Sequence, residues 1–344
     1  MRTEQAPLTD VVIPPTGADR VRLVLILGAL IALGPLTIDM YLPALPAITA
    51  DLLTTEAAVQ LTLTGTLLGL AVAQMVVGPL ADAFGRKRPL LVGAGVHVAA
   101  SVLCAVAPNI EVLGVLRVLQ GAGAAAGMVV ALAIVRDLYT GRAAAVLLSR
   151  LILVMGAAPI VAPTIGGALL GFTSWRGVFV ALALYGLVLL PIAARLLPET
   201  LPPRRRRTAR IGPTLRTYRE LLSDRVFVGL VLTAGLVMSG MFAYIAGSSF
   251  VFQQQFGLDE QGFGLLFGIS AFFIIGGTQV NAYLLRWFEP HQLLLAAVLA
   301  GTAAGLLLLA AAVIGFGGLM GVLVPLWAAL FTAGLALPTR PRSP

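Results

Sequence analysis

The sequence predicts an all-α polytopic membrane protein, and three observations carry that reading. Of 344 residues, 59% are hydrophobic and only 11% charged, with a mean hydropathy of +0.98, whereas soluble domains run about 25% charged. Charge-free runs recur at 57–81, 89–110, 151–175, 226–258, 261–285 and 290–339, each able to cross about 30 Å of hydrocarbon, which takes roughly 20 helical residues. The runs lack the alternating polarity of a β-barrel, whose strands are about ten residues long and whose lumen side carries charge. Together these exclude an ordinary soluble enzyme. The formal charge of +8 is therefore read against a membrane and not against nucleic acid.

Dividing the chain at charge clusters and Gly/Pro breaks gives ten spans. The first, 21–43, follows Arg20 and Arg22. It resembles a secretory leader, but Asp39 inside it and Pro43 and Pro46 beside the small residues Ala44 and Ala47 argue for a retained helix. Spans at 57–80, 89–107, 112–135, 143–170 and 175–196 complete a first group of six, preceded by a tail at 1–20. Residues 197–225 form the one long polar insertion, with over a quarter of the basic residues, Arg204–Arg207 among them; it reads as a linker facing anionic lipid. Four spans follow at 226–248, 261–285, 291–315 and 319–337, then a Pro/Arg tail at 338–344. Gly78-Pro-Leu-Ala-Asp82 after span two and Gly277-Thr-Gln-Val-Asn281 after span eight form a weak repeat. Such parallel repeats mark transporters with a site at the interface of two halves near mid-bilayer.

Cytoplasmic loops are enriched in Lys and Arg. With the N-terminus inside, the inner set holds Arg20, Arg22, Arg86-Lys87-Arg88, Arg136, Arg142, the Arg195–Arg225 stretch, Arg286, Arg340 and Arg342, while outer loops 43–57, 107–112, 248–261 and 315–319 hold none. Arg176 is the one exterior exception.

Ionisable residues inside spans are costly and are functional candidates by default. Of fifteen acidic residues only Asp39 lies well inside a span, and Arg117 is its basic counterpart. Counting helical rise puts Asp39 roughly 25 Å from the inner face and Arg117 roughly 8 Å below the outer face, so the two sit at similar depth. They are expected either to couple proton and substrate across a cavity, separating when the carboxylate is protonated, or to form a structural ion pair. At the inner ends of spans two and four, Asp82 and Arg136 share a level beside the turn Phe84-Gly85-Arg86-Lys87-Arg88, a gate or latch, or else an ordinary turn with topogenic charges. Span five holds Gly156, Pro159, Pro163, Gly166 and Gly167, small residues that permit close helix approach and prolines that bend the helix; Gly264 and Gly268 offer a matching face on span eight. Tyr41, Gln60, Gln74, Gln120, Tyr244, Gln279 and Asn281, with Met238, Met241 and Phe242, are candidates for a cavity lining, since Met and aromatic surfaces suit apolar and cationic ligands. His97 reads as a hydrogen-bonded bundle residue before a proton relay. No spacing suits a metal, and no Gly-Lys-Ser/Thr loop or soluble domain suits ATP hydrolysis. Cys104 stands alone in an apolar run.

These motifs resemble the major facilitator superfamily. Gly78-Pro-Leu-Ala-Asp82-Ala-Phe-Gly85-Arg86-Lys87-Arg88 is similar to its signature loop, Arg117-Val-Leu-Gln120-Gly121-Ala-Gly123 to the span-four motif of proton-driven exporters, and Gly156 through Gly167 to their antiporter motif. Thr37-Ile-Asp39-Met-Tyr41-Leu-Pro43-Ala-Leu-Pro46 narrows the resemblance to the bicyclomycin and chloramphenicol resistance (Bcr/CflA) branch of drug:proton antiporters. The resemblance implies two helical-bundle halves, with about ten spans here against an expected twelve, hence a C-terminally truncated form with an incomplete second bundle. It implies proton and substrate coupling by Asp39 and Arg117, an inner gate of Gly78, Asp82, Gly85, Arg86, Lys87 and Arg136, and an interface formed by the span-five motif. The expected function is efflux of a small amphipathic or cationic drug-like substrate across the inner membrane, driven by protons, with no cofactor besides the proton gradient and no nucleic-acid partner. The alternatives are a proton-coupled importer, a metabolite or sugar exporter, and a non-transporting fragment.

Overall fold

The computed structural model describes residues 17–206 and 219–336, and every regular element among them is helical. The long helices are α1 (Gly17–Asp39), α3 (Glu56–Phe84), α4 (Lys87–Ala105), α5 (Ile110–Leu138), α6 (Gly141–Leu170), α7 (Trp175–Leu196), α8 (Arg225–Phe250), α9 (Glu260–Leu284), α10 (Pro290–Ile314) and α11 (Gly318–Ala336), with a short α2 (Leu45–Asp51) after the first. Nine segments among the described residues are long and apolar enough to cross a membrane, and α8, 26 residues long, stands where the seventh span is expected. The tails 1–16 and 337–344, and residues 207–218 of the expected linker, lie outside the described residues.

Helix starts follow side-chain caps that supply acceptors for otherwise orphaned N–H groups. Thr55 Oγ1 accepts from Ala58 N at 3.2 Å, Asn109 Oδ1 from Val112 N at 3.0 Å, and Asp259 Oδ1 from Gly262 N at 2.8 Å. Glu289 and Gln292 form a capping box at the start of α10. The expected first span departs from the sequence reading: α1 stops at Asp39, and the chain continues as a 3₁₀ turn, Leu42–Ala44, and then as α2. Pro43 and Pro46 lack the N–H that would prolong α1 but fit the first positions of the two new helices. Asp39 is thus the last residue of α1 and not a mid-helix residue, and much of the expected exterior loop 43–57 is helical.

In the first half, α5 is central and packs against α3, α4 and α1. Its glycines make this possible: a Cβ on Gly123 would lie 2.5 Å from His97 N, and one on Gly127 2.6 Å from Leu30 O. In the second half α11 packs on α9 and α10. The halves meet where α6 lies against α9. Two apolar cores result. One joins both halves at the Asp51 end, around Tyr41, Leu42, Leu45, Phe179, Phe250 and Phe263. The other, around Leu27, Leu90, Val130 and Leu147 at the Arg86 end, is built from the first half alone.

Candidate functional site

A cavity of about 360 Å³ opens between the halves, walled by α1, α6, α8 and α9. Asp39 lines it with Pro35, Ile38, Met155, Gly156, Pro159, Met241, Phe242, Tyr244, Ile245, Phe267, Ala271, Ile274 and Ile275. Asp39 is 4% exposed and, among the described residues, is the only charged one of that wall. It forms no ion pair among the described residues. Its place at the C-terminal end of α1 sets the carboxylate at the negative end of the helix dipole, a location that packing alone does not favour. The rings of Tyr244 and Phe267, both in that wall, stack at 5.5 Å with 7° between their planes.

The expected direct pairing of Asp39 with Arg117 is not what the structure builds. Arg117 is fully buried and does not line this cavity. Its Nη1 donates to Thr37 O at 3.0 Å and to Gln120 Oε1 at 2.6 Å, and its guanidinium lies 4.3 Å over the Tyr41 ring and 5.6 Å over that of Phe179. Nε and Nη2 find no hydrogen-bond partner among the described residues. Cation–π contact replaces the carboxylate as the compensation for this buried charge. Gln120 passes the contact on to Ser101 Oγ at 2.8 Å, and Ser101 donates to His97 O at 2.7 Å. Thr37 donates its hydroxyl to Leu33 O at 2.6 Å, so at 2.9 Å from His97 Nε2 it accepts from the ring. His97 is therefore a bonded bundle residue, and Thr37, two positions before Asp39, is anchored through both its carbonyl and its hydroxyl. Tyr41 and Gln120 accordingly belong to this packed network and not to the cavity lining; Tyr41 OH bonds Thr62 Oγ1 at 2.8 Å. Met241, Phe242 and Tyr244 do line the cavity, Met238 lines a neighbouring one, and Gln60, Gln74, Gln279 and Asn281 do not line the Asp39 cavity.

At the Arg86 end the expected Asp82–Arg136 partnership is replaced by one centred on Arg86. Arg86 bonds Asp82 Oδ1 at 2.5 Å and Asp137 at 2.8 and 3.2 Å, while Arg136 is exposed. Burial alone would lower the Arg86 pKa, but the hydrogen bonds to Asp137 and Asp82 outweigh it and hold the guanidinium above its usual range. Thr200 also donates to Asp137, at 2.8 Å. Glu199 accepts from the N–H groups of Arg86 and Lys87 at 2.8 and 3.3 Å, capping α4 from 112 residues away. Gly85 takes φ +91°, a conformation that favours glycine, and a Cβ there would collide with Glu199. Gly78 has no atom within 4 Å of where a Cβ would stand and so makes no close helix contact.

The antiporter-like glycines divide into two kinds. Gly166 and Gly167 face the backbone at Met40 and at Glu260, and Gly264 faces Pro163 O, 2.5 Å from where a Cβ would stand. Thr164 Oγ1 bonds Gly264 O at 3.2 Å across the same contact. Gly156, by contrast, has open space where a Cβ would go. At the far end, Ser249 Oγ donates to Leu42 O at 2.7 Å and Gln253 Nε2 to Pro43 O at 3.0 Å, so the end of α8 is bonded to the turn after Asp39. Asp51 accepts there from Arg176 and from Trp175 Nε1, at 2.5 and 2.9 Å.

A cavity at the interface of two helical halves, bounded by these motif residues, is matched by the sequence comparison: residues 25–340 fit the Major Facilitator Superfamily. The chain belongs to that superfamily. Among its superfamily relatives, the uncharacterized MFS-type transporter YdgK of Bacillus subtilis is 41% identical over 94% of this chain and 81% of its own length. A bicyclomycin resistance protein homolog of Haemophilus influenzae is 31% identical over 75% of this chain and 65% of its own, so the chain spans less than two thirds of that relative. The multidrug resistance protein MdtL of Escherichia fergusonii is 31% identical over 81% and 71%. In fold, the chain is similar to a bacterial homolog of the human lysosomal transporter Spinster, with a TM-score of 0.71 at 18% identity over 94% of this chain and 74% of that one. It is also similar to a D-xylose-proton symporter, with a TM-score of 0.64 at 15% identity over 92% and 80%. The chain is thus a multi-pass membrane protein of a transporter superfamily. Sequence reasoning missed Asp137 and Glu199 in its turn network and Phe267 in its cavity, because residues of one depth or one motif do not reveal which helix face they occupy.

Proposed function

We propose that the chain is a proton-driven exporter of small amphipathic or cationic molecules, of the Bcr/CflA kind, in the bacterial inner membrane. The observation that carries this reading is Asp39: one carboxylate, buried, outside any ion pair among the described residues, on the wall of an otherwise uncharged cavity between the halves. A buried charge without compensation is expensive, so the cavity favours either a proton on Asp39 or a cation beside it. Exchange of one for the other couples the two fluxes. The resistance-protein names of two relatives support the efflux direction, and the cluster of Arg86, Lys87 and Arg88 supports a cytoplasmic Arg86 end.

With that orientation, the apolar core shared by both halves closes the outer end, and the core of the first half alone leaves the inner end free to part. Cytosolic substrate reaches Asp39 and displaces its proton. The α6–α9 contact, glycine against backbone, gives the halves a surface to rock upon. Reopening outward requires the bonds of Ser249 to Leu42 and of Gln253 to Pro43 to break and the Arg86 network to hold the inner end. Arg117 acts from behind, fixing through Thr37 the segment that aims Asp39. The test is ethidium efflux from cells carrying membrane-inserted chain, with and without a protonophore. The expected result is protonophore-sensitive efflux that Asp39→Asn abolishes while insertion persists. Undiminished efflux by Asp39→Asn sinks the reading.

A further inference from the structure

We infer that the cavity between the halves is a site for one planar aromatic monocation, with Asp39 as its only countercharge and Gly156 as the open wall that makes room for it. This rests on the transport reading above and adds ligand charge, proton count and a size determinant.

The charge count comes from everything that faces Asp39. On α6, α8 and α9 the cavity wall offers Met155, Met241, Phe242, Ile245, Phe267 and other uncharged residues, with Tyr244 its one further titratable group. On α5, Arg117 is turned to Thr37 O and to the Tyr41 ring. On α4, His97 is bonded to Thr37 Oγ1, and on α7 Tyr185 OH donates to Ala29 O at 2.8 Å. None of these three lines the cavity. One ionised carboxylate in apolar surroundings balances one positive charge: a second charge on the ligand stays uncompensated, at the cost that like or unpaired charge incurs in a desolvated site. Emptied of cation, the same carboxylate is neutralised by a single proton. The exchange is therefore one proton for one monocation.

Shape follows from the same wall. Tyr244 and Phe267 both line the cavity and stack in parallel, so the pair sets aromatic π-density beside Asp39, and a planar delocalised cation is the ligand that continues such a stack. The glycine comparison then separates room from packing. Gly166, Gly167 and Gly264 are glycine because a neighbouring backbone occupies the Cβ position, but nothing occupies that position at Gly156, although it lines the cavity. Helix contact does not demand glycine at 156; the free volume of the site does.

The test is binding to the purified, detergent-solubilised full chain in lightly buffered solution, with proton release followed by a pH dye between about pH 5 and 8. Ethidium, a planar monocation, is expected to release up to one proton per molecule bound and never more. Propidium carries the same ring system with a second cation and is expected to bind about tenfold or more weakly. Asp39→Asn is expected to abolish proton release. Gly156→Leu is expected to weaken ethidium about tenfold or more while tetramethylammonium binding changes less than threefold, and Gly166→Ala, a packing control, to change thermal stability and not the ratio of the two ligands. Release of two protons per ethidium, equal binding of propidium, or equal effects of Gly156→Leu on both cations overturns the inference and leaves a cation exporter standing. Absence of ethidium binding, or binding indifferent to Asp39→Asn, overturns both.

Discussion

The charged residues of this chain differ in how they are held. Arg86 is 8% exposed and shared between Asp82 and Asp137, whereas the Arg176–Asp51 pair is roughly half open to solvent on the carboxylate side. Removing one partner of a buried charge leaves it unsatisfied, whereas an exposed pair contributes about 0–1 kcal/mol. Asp137→Asn is thus expected to lower stability by about 2 kcal/mol and Asp51→Asn by less than about 1 kcal/mol, measured by thermal unfolding in detergent; equal effects would contradict the assignment. Arg117→Lys is expected to cost about 2 kcal/mol as well, because an ammonium does not reproduce the stacking over Tyr41 together with the bonds to Thr37 O and Gln120. Lone charges in apolar runs were legible in the sequence, which is why Asp39 and Arg117 stood out. Their partners were not. Depth counted along a helix ignores azimuth, and adjacent residues point about 100° apart, so Arg136 and Asp137 share a level but only Asp137 meets Arg86.

At the scale of helices, starts were legible from charge clusters and Gly/Pro breaks, and the structure adds Thr55, Asn109, Asp259 and Glu289 as the caps that fix them. The end of α1 was less so, since an apolar run passes through Asp39 and the stop depends on Pro43 and Pro46 acting on the turn before them. Small-residue stripes on spans five and eight were visible, and the structure brings them together at Gly264 and Pro163. Which glycine serves contact and which serves space was not visible, because the letter is the same. Substitution separates them: Gly264→Ala is expected to destabilise by about 1–3 kcal/mol through overpacking, and Gly156→Ala by less than about 0.5 kcal/mol, in the same unfolding assay. The reverse order would contradict the packing described for α6 and α9.

For the whole molecule, the all-helical class followed from hydropathy and charge. Conformation did not, because it depends on long-range bonds such as Ser249 to Leu42 that join residues 207 apart. Orientation is testable through the single cysteine. Cys104 is buried, so an introduced cysteine reports alone: Thr54→Cys, in the connection after α2, is expected to react with a membrane-impermeant maleimide in intact cells, and Ser223→Cys, before α8, only after lysis. The opposite pattern would invert the assignment of the Arg86 end. The central claim is that Asp39 exchanges a proton for substrate between two halves, and proteoliposomes test it most directly. With an imposed pH gradient and the membrane potential clamped at zero, the native chain should move ethidium against protons and Asp39→Asn should move none; equal movement by both proteins would contradict the account.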